Sequence, residues 1–265
     1  MFAKNHCFMK KEVVVLVLLV LLTTTGMVRA EEEKELGITL DITYASKYMS
    51  KGGRFFGSKS AIYETLDFDL YQTGFGLTVH NRRANSSGYE NKERNNYGIY
   101  YKNSFFDDES YKTNYKVTWE YHHYVDEPRT KSNKNEWNFD FSWPEILPAG
   151  LVPQYTTFYE YPGGSNYDNG DITGWSHRFG LNYPLAMPEL TDQVFNLCAY
   201  VWYRDGVGGA TKDHDWSHAT FGISTQYKIS ENLSFVPAIY YQSSCEDTVN
   251  TRDEVYCKLS MKYKF

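Results

Sequence analysis

Histidines and carboxylates gather in two places in this 265-residue chain. His122-His123, and Asp213-His214-Asp215 followed by His218, offer the donor types of a metal site, which needs several N or O ligands converging on one ion. Neighbouring residues of a regular strand project to opposite faces, so His122 and His123 cannot share an ion there. Asp213 to Asp215 falls in a polar loop, where weak divalent binding is the most it suggests. Asp168-Asn169-Gly170-Asp171 resembles a calcium loop in type but lacks the downstream bidentate Glu, and it reads as an ordinary Asx/Gly turn. The expectation is therefore no metal and no cofactor. No G-x-S-x-G, H-E-x-x-H or phosphate-loop motif occurs, and no residue is singled out as catalytic, so an enzyme is not expected. Cys245 and Cys257 would lie near the two legs of one outer loop. In an exported, oxidised protein they are candidates for a disulfide, provided Cys257 lies close enough to the rim, and Cys198 would then stay unpaired.

The elements that must position these groups begin after a transport leader. A basic start (Lys4, Lys10, Lys11), an apolar run from Val13 to Leu22 and the small-x-small ending Val28-Arg29-Ala30 form a secretory signal over residues 1–30, with the mature domain at 31–265. The leader holds four basic residues and one acid, so the 27 Lys+Arg and 33 Asp+Glu of the chain leave the mature part at a net charge of −9. An acidic surface does not seek a phosphate backbone, which argues against nucleic acid as partner. Aromatic residues make up 17 % of the chain, about twice ordinary usage, and 24 of them are Tyr, a residue that settles at membrane interfaces. Mean hydropathy is −0.56. No mature stretch approaches the ~18 consecutive apolar residues of a spanning helix, and low hydropathy suits a barrel, whose strands hide half their residues from lipid.

Period-two alternation recurs along the mature chain, the mark of strands with two different faces. It predicts twelve strands near 35–46, 62–71, 74–83, 96–106, 112–124, 135–143, 152–161, 173–184, 194–204, 216–229, 232–243 and 254–265. Short turns alternate with long polar loops, as periplasmic turns and extracellular loops do in bacterial barrels. The predicted fold is all-β: a closed antiparallel transmembrane β-barrel in the outer membrane of a Gram-negative bacterium. Pro237 inside the eleventh segment predicts a bulge, because a closed barrel has no edge to hide its missing N–H. His123 and His177 fall on the lipid face, either at an interface or through a one-residue register slip.

The alternation also assigns faces. Pore-lining candidates are Asp41, Asp67, Asp69, His80, Arg82, Lys102, Lys116, Glu120, Asp140, Arg178, Arg204, Lys258, Lys262 and Lys264. Membrane-girdle aromatics are Tyr44, Trp119, Tyr121, Trp137, Trp143, Tyr263 and Phe265. Both signs of charge occur inside, so the lumen either sieves polar solutes or closes itself through cross-lumen pairs. The row Lys258, Lys262 and Lys264 would attract anions or simply form a solvated strand end.

The ending Tyr263-Lys264-Phe265 resembles the terminal signature that the outer-membrane assembly machinery reads. The stretches ITLDITYASKYMSKGGRFFG, LDFDLYQTGFGLTVHNRR and YKISENLSFVPAIYY resemble the first strand and glycine-containing loop, the tight hairpin, and the short turn with penultimate strand of the outer-membrane porin family labelled TorF or Gcw_chp. The heavy Tyr and Trp load and the late Cys pair depart from it. The resemblance implies a barrel and a pore, and it supplies no substrate.

Three function classes follow. The first is a porin-like channel for passive diffusion of small polar solutes, with outer-membrane lipids and, through Phe265, the barrel assembly machinery as partners. The second is a surface-exposed adhesin or receptor barrel with a closed lumen. The third is a soluble secreted β-sandwich that binds carbohydrate, which would turn the same apolar faces inward. A membrane-embedded hydrolase would draw its residues from distant strand ends, beyond the reach of a local motif.

Overall fold

All twelve predicted segments are strands. In the computed structural model they are β1 (Gly37–Ala45), β2 (Ala61–Asp69), β3 (Phe75–Ala84), β4 (Arg94–Phe105), β5 (Thr113–Tyr124), β6 (Lys134–Ser142), β7 (Val152–Pro162), β8 (Gly174–Met187), β9 (Gln193–Asp205), β10 (Asp215–Thr225), β11 (Leu233–Ser244) and β12 (Glu254–Lys264). The structure describes residues 35–128, 132–164, 172–187, 193–206, 214–245 and 252–265. The expected leader, the loop Asp168 to Asp171 and Asp213 lie outside them.

Each strand pairs antiparallel with its sequence neighbour, and β1 pairs with β12 from Thr39↔Lys264 to Ala45↔Lys258. That last ladder closes the sheet, so no edge is left with unpaired backbone groups. Closure requires one face to look outward, and the outward face is apolar. Ile42, Ile99, Phe179, Phe221, Ile239 and Leu259 are all exposed mid-strand residues. The opposite face is polar and buried: Thr43, Asn96, Glu120, Glu136, Glu160, Ser176 and Gln242 all lie there. Trp137 is 38 % exposed and packs against no second sheet, which removes the sandwich reading.

Connections alternate in length. The turn after β2 is Leu70 to Gly74, whereas the loop after β1 runs from Ser46 to Ser60. In the turn after β4, Lys112 pairs with Asp107 at 3.1 Å. The Ser104 hydroxyl, and then this ammonium, hold the Asp107 carboxyl below its ordinary pKa.

Pro237 does not produce a bulge. It pairs with Leu259 in unbroken register on one side. On the other, the β10–β11 ladder stops at Ser224↔Ala238 and resumes at Tyr227↔Phe235 in the same register. The missing N–H interrupts the ladder instead of shifting it, and the Gln193 side-chain amide donates to the Gln226 carbonyl there at 3.1 Å. The bulge is elsewhere: Trp202 faces His218 and Tyr203 faces Trp216, which leaves Ser217 as the extra residue.

The candidate disulfide is not formed, since Cys245 and Cys257 are both thiols. Register gives the reason. Cys257 pairs with Ile239, six positions along the strand from Cys245, a separation of about 20 Å at ~3.3 Å per residue, against the ~7 Å limit between bridged Cα atoms. No register slip explains the outward histidines either. His177 hydrogen-bonds with the Tyr155 hydroxyl at 2.9 Å and stacks beside Trp175, while His123 stacks on Tyr121.

Candidate functional site: a strap across the lumen

The loop after β1 turns into the barrel. Met49–Ser50 and Gly53–Arg54 form a short hairpin whose two-residue turn is Lys51-Gly52. Both turn residues have positive φ, 46° and 87°, as a tight hairpin turn of the mirror-image type demands. Gly fits the second position without penalty, but Lys at the first opposes the left-handed backbone by about 1–2 kcal/mol. A strained non-glycine at a turn tip is a mark of a side chain that must reach something.

What it reaches is the opposite wall. In a ring of twelve strands β7 stands across from β1, and Lys51 Nζ pairs with Glu136 Oε2 on β6 at 2.5 Å and with Glu160 Oε1 on β7. The ammonium also lies 4.5 Å from the centre of the Phe158 ring. Arg204 donates to the Lys51 carbonyl, and Gln242 Nε2 donates to the Gly52 carbonyl at 2.9 Å. His218, aimed by the Ser217 bulge, packs against Gly52.

The root of the strap is held by aromatic packing and by charge. Tyr48 and Phe56 are buried with Ala61, and Phe55, Tyr63 and Tyr89 pack against them. The Arg82 guanidinium lies over Tyr48 and that of Arg94 over Phe55. Glu254, nearly fully buried, accepts from Lys47 at 2.6 Å and from Arg54 at 3.0 Å. Hairpin, aromatic root and ion pairs together tie residues 46–60 to both sides of the interior.

Of the residues singled out from the sequence, His80, Arg82, Glu120 and Arg204 are gathered around this strap. Glu120 lies 3.4 Å from His80 Nε2 and 3.1 Å from His122 Nε2. A second group stands at the short-turn end. Lys102 pairs with Asp69 at 2.6 Å, Asp67 accepts from the Tyr100 hydroxyl, and Lys116 lies 3.9 Å from the Tyr100 ring centre. Thr156 bridges Arg178 to Asp140 with bonds of 2.8 and 2.7 Å. Lys258, Lys262 and Lys264 share one face of β12 but meet different partners. Lys258 stands among Tyr63, Tyr240 and Tyr256, Lys262 lies 3.6 Å from Asp41, and Lys264 pairs with Thr39 at the end of the wall.

Tyr44, Trp137, Tyr263 and Phe265 are exposed on the outer surface. On the same surface Trp119 donates to the Tyr161 hydroxyl, Tyr121 accepts from Asn133, and Trp143 stacks on Phe141.

Six site residues have no role in the sequence reading, namely Lys51, Arg94, Lys134, Glu136, Glu160 and Glu254, while His122 and His218 enter it only as metal-ligand types. Glu136 and Glu160 have the inward parity of Asp140 and Thr156, so alternation alone could have placed them inside. Glu120, His122 and Glu136 bring donor atoms within 4.8 Å of one another. The cations that meet them belong to the protein: Lys51 on Glu136, and Arg94, whose Nη1 lies 3.3 Å from His122 Nδ1. A metal ion there would have to displace them.

Two cavities flank these groups. One of about 610 Å³ opens at the short-turn end beside Lys102, Lys116, Asp140 and Arg178. Another, of about 440 Å³, lies beneath the strap against Arg82, Glu120, Glu160 and Trp202.

No protein-family model matches the chain, and no curated protein sequence does. Solved structures do match in fold. The KdgM porin, crystallised in complex with disordered oligogalacturonate, superposes with a TM-score of 0.51 at 10 % identity, covering 86 % of this chain and 99 % of that one. The NanC porin gives 0.54 at 11 % identity over 85 % of this chain and all of that one. An outer membrane channel from Pseudomonas putida F1 gives 0.52 at 7 % identity over 90 % and 100 %. The chain shares their barrel fold.

Proposed function

We propose that the protein is a porin-like channel of the bacterial outer membrane, through which small polar solutes diffuse, with the strap 46–60 as its constriction. The observation that carries this reading is the two-sidedness of the wall. Its outside exposes Ile99, Phe221 and Ile239, which water would not favour, while its inside buries polar atoms that find no protein partner, among them Asn138 Oδ1 and Thr220 Oγ1. Each such atom would cost about 1–3 kcal/mol in a dry interior, so the inside is read as wetted. The fold shared with three porins and channels supports the same reading. The inward charged residues around both cavities would line the path. Outer-membrane lipids would contact the girdle aromatics, and Phe265 would present the assembly signal. The leader would deliver the chain.

Reconstitution into a planar bilayer tests the channel. Stepwise currents are expected from the wild type, larger in a variant lacking residues 48–56. Flat traces from both proteins, each shown folded by its heat-modifiable gel mobility, would sink the pore and leave the barrel standing.

A further inference from the structure

We propose that Glu136, Glu160 and Phe158 form a binding site for primary alkylammonium solutes, with Lys51 as its built-in occupant. A soluble amine entering the lumen then competes with the strap for one seat. The consequence for transport rests on the channel reading, whereas the seat itself rests on geometry alone.

A primary ammonium has three N–H donors and a compact charge attracted to ring faces. The seat meets both properties. Glu136 Oε2 accepts at 2.5 Å, Glu160 Oε1 accepts alongside, and the Phe158 ring lies 4.5 Å away. None of the three groups belongs to the strap. They stand on β6 and β7, where Glu136 and Glu160 are direct cross-strand partners, so the wall keeps them together when the strap leaves.

Charge makes exchange more favourable than vacancy. Glu160 retains Lys134 on its other oxygen at 2.6 Å. Among the described residues, the ion pair of Glu136 is with Lys51. Glu136 is 5 % exposed, and removing Lys51 strips a buried carboxylate of its cation, the costliest way to break such a pair. A second ammonium restores the balance. Arg204, Lys134 and Arg94 stand close by and repel a divalent metal ion more than a single ammonium.

The tether favours Lys51 by proximity, but Lys51 holds its place from left-handed backbone at φ 46°. A free amine bears no such strain. At sufficient concentration it takes the seat, the strap tip lifts from β7, and the lumen widens.

The test is titration calorimetry with cadaverine, pentane-1,5-diamine, on the full mature chain folded in detergent. Tetramethylammonium, which has the charge but no N–H, serves as control at equal ionic strength. Lys51→Met removes the internal competitor and should bind cadaverine at least tenfold more tightly than wild type. Adding Glu136→Gln should undo that gain. Equal affinity of wild type and Lys51→Met, or a Glu136→Gln change without effect, overturns the site. Should Lys51→Met fail to fold, hydrogen exchange decides on the wild type. Exchange at the Lys51 and Gly52 amides should accelerate with cadaverine and not with tetramethylammonium, and unchanged exchange overturns the site. Cadaverine binding by a folded barrel that passes no current would retain the seat and sink the channel, whereas stepwise currents from a barrel that does not bind cadaverine would sink the seat and leave the channel standing.

Discussion

At the scale of single residues, Gly52 is a position where the strap has no room to vary. A Cβ there would come 2.2 Å from His218 Nδ1, and its φ of 87° is unfavourable to any side chain. His218 cannot easily yield, because it hydrogen-bonds with Ser217 at 2.7 Å and stacks on Trp202. Gly52→Ala should therefore unseat the tip, with overpacking of about 1–3 kcal/mol added to backbone strain of about 1–2 kcal/mol. The expected readout is a larger single-channel current from a barrel that still folds. Gly52→Ala combined with His218→Ala should recover only the steric share, and full recovery would show that backbone strain contributes nothing. Residues on the wall were legible because period two fixes the face of each one. Lys51 was not, since its partners Glu136 and Glu160 lie 85 and 109 positions away. They are not neighbours of the strap in the sheet, and no periodicity connects a loop tip to the far side of a barrel.

At the scale of elements, the strap is a hairpin with two attachments of different strength. Its tip is held by ion pairs and two backbone acceptors, its root by packing. Phe56 is fully buried and touches the Tyr48, Phe55 and Tyr89 rings. Phe56→Ala should cost about 3–5 kcal/mol of local stability, the usual penalty for emptying an aromatic site. The wall does not depend on that packing, since its strands close on one another. Limited trypsin should then cut at Lys51 and Arg54 while the barrel keeps its heat-modifiable mobility. Loss of the folded band would mean that the root supports the wall as well. The sequence marked this loop as long and glycine-containing, and it left open which loop folds inward. Phe55-Phe56 was the available signal, because an adjacent aromatic pair in a polar loop needs somewhere to bury itself. Pro237 shows the complementary limit. A missing N–H announces a fault in the ladder, but whether the fault shifts the register or interrupts it depends on the neighbouring strand. Here the strand containing Thr225 simply breaks, and Gln193 fills the gap.

For the whole molecule, the decisive question is which solvent meets the outer face. Ile99 is 53 % exposed in the middle of β4, with Leu77 and Trp119 as cross-strand partners on the same face. In a water-soluble protein, a charge at so exposed a site usually changes stability by no more than about 0.5 kcal/mol. Facing hydrocarbon near the midplane, the same substitution costs about 2–4 kcal/mol, because the guanidinium must be desolvated or drag water and headgroups inward. Ile99→Arg, unfolded reversibly from a bilayer by denaturant, should fall in the second range. As control, Lys116→Gln alters an inward group of the neighbouring strand β5 and should change conductance more than stability. A near-neutral Ile99→Arg would mean that water bathes the apolar band. Lipid would then not be the solvent for which this alternation was selected, however well the strands close.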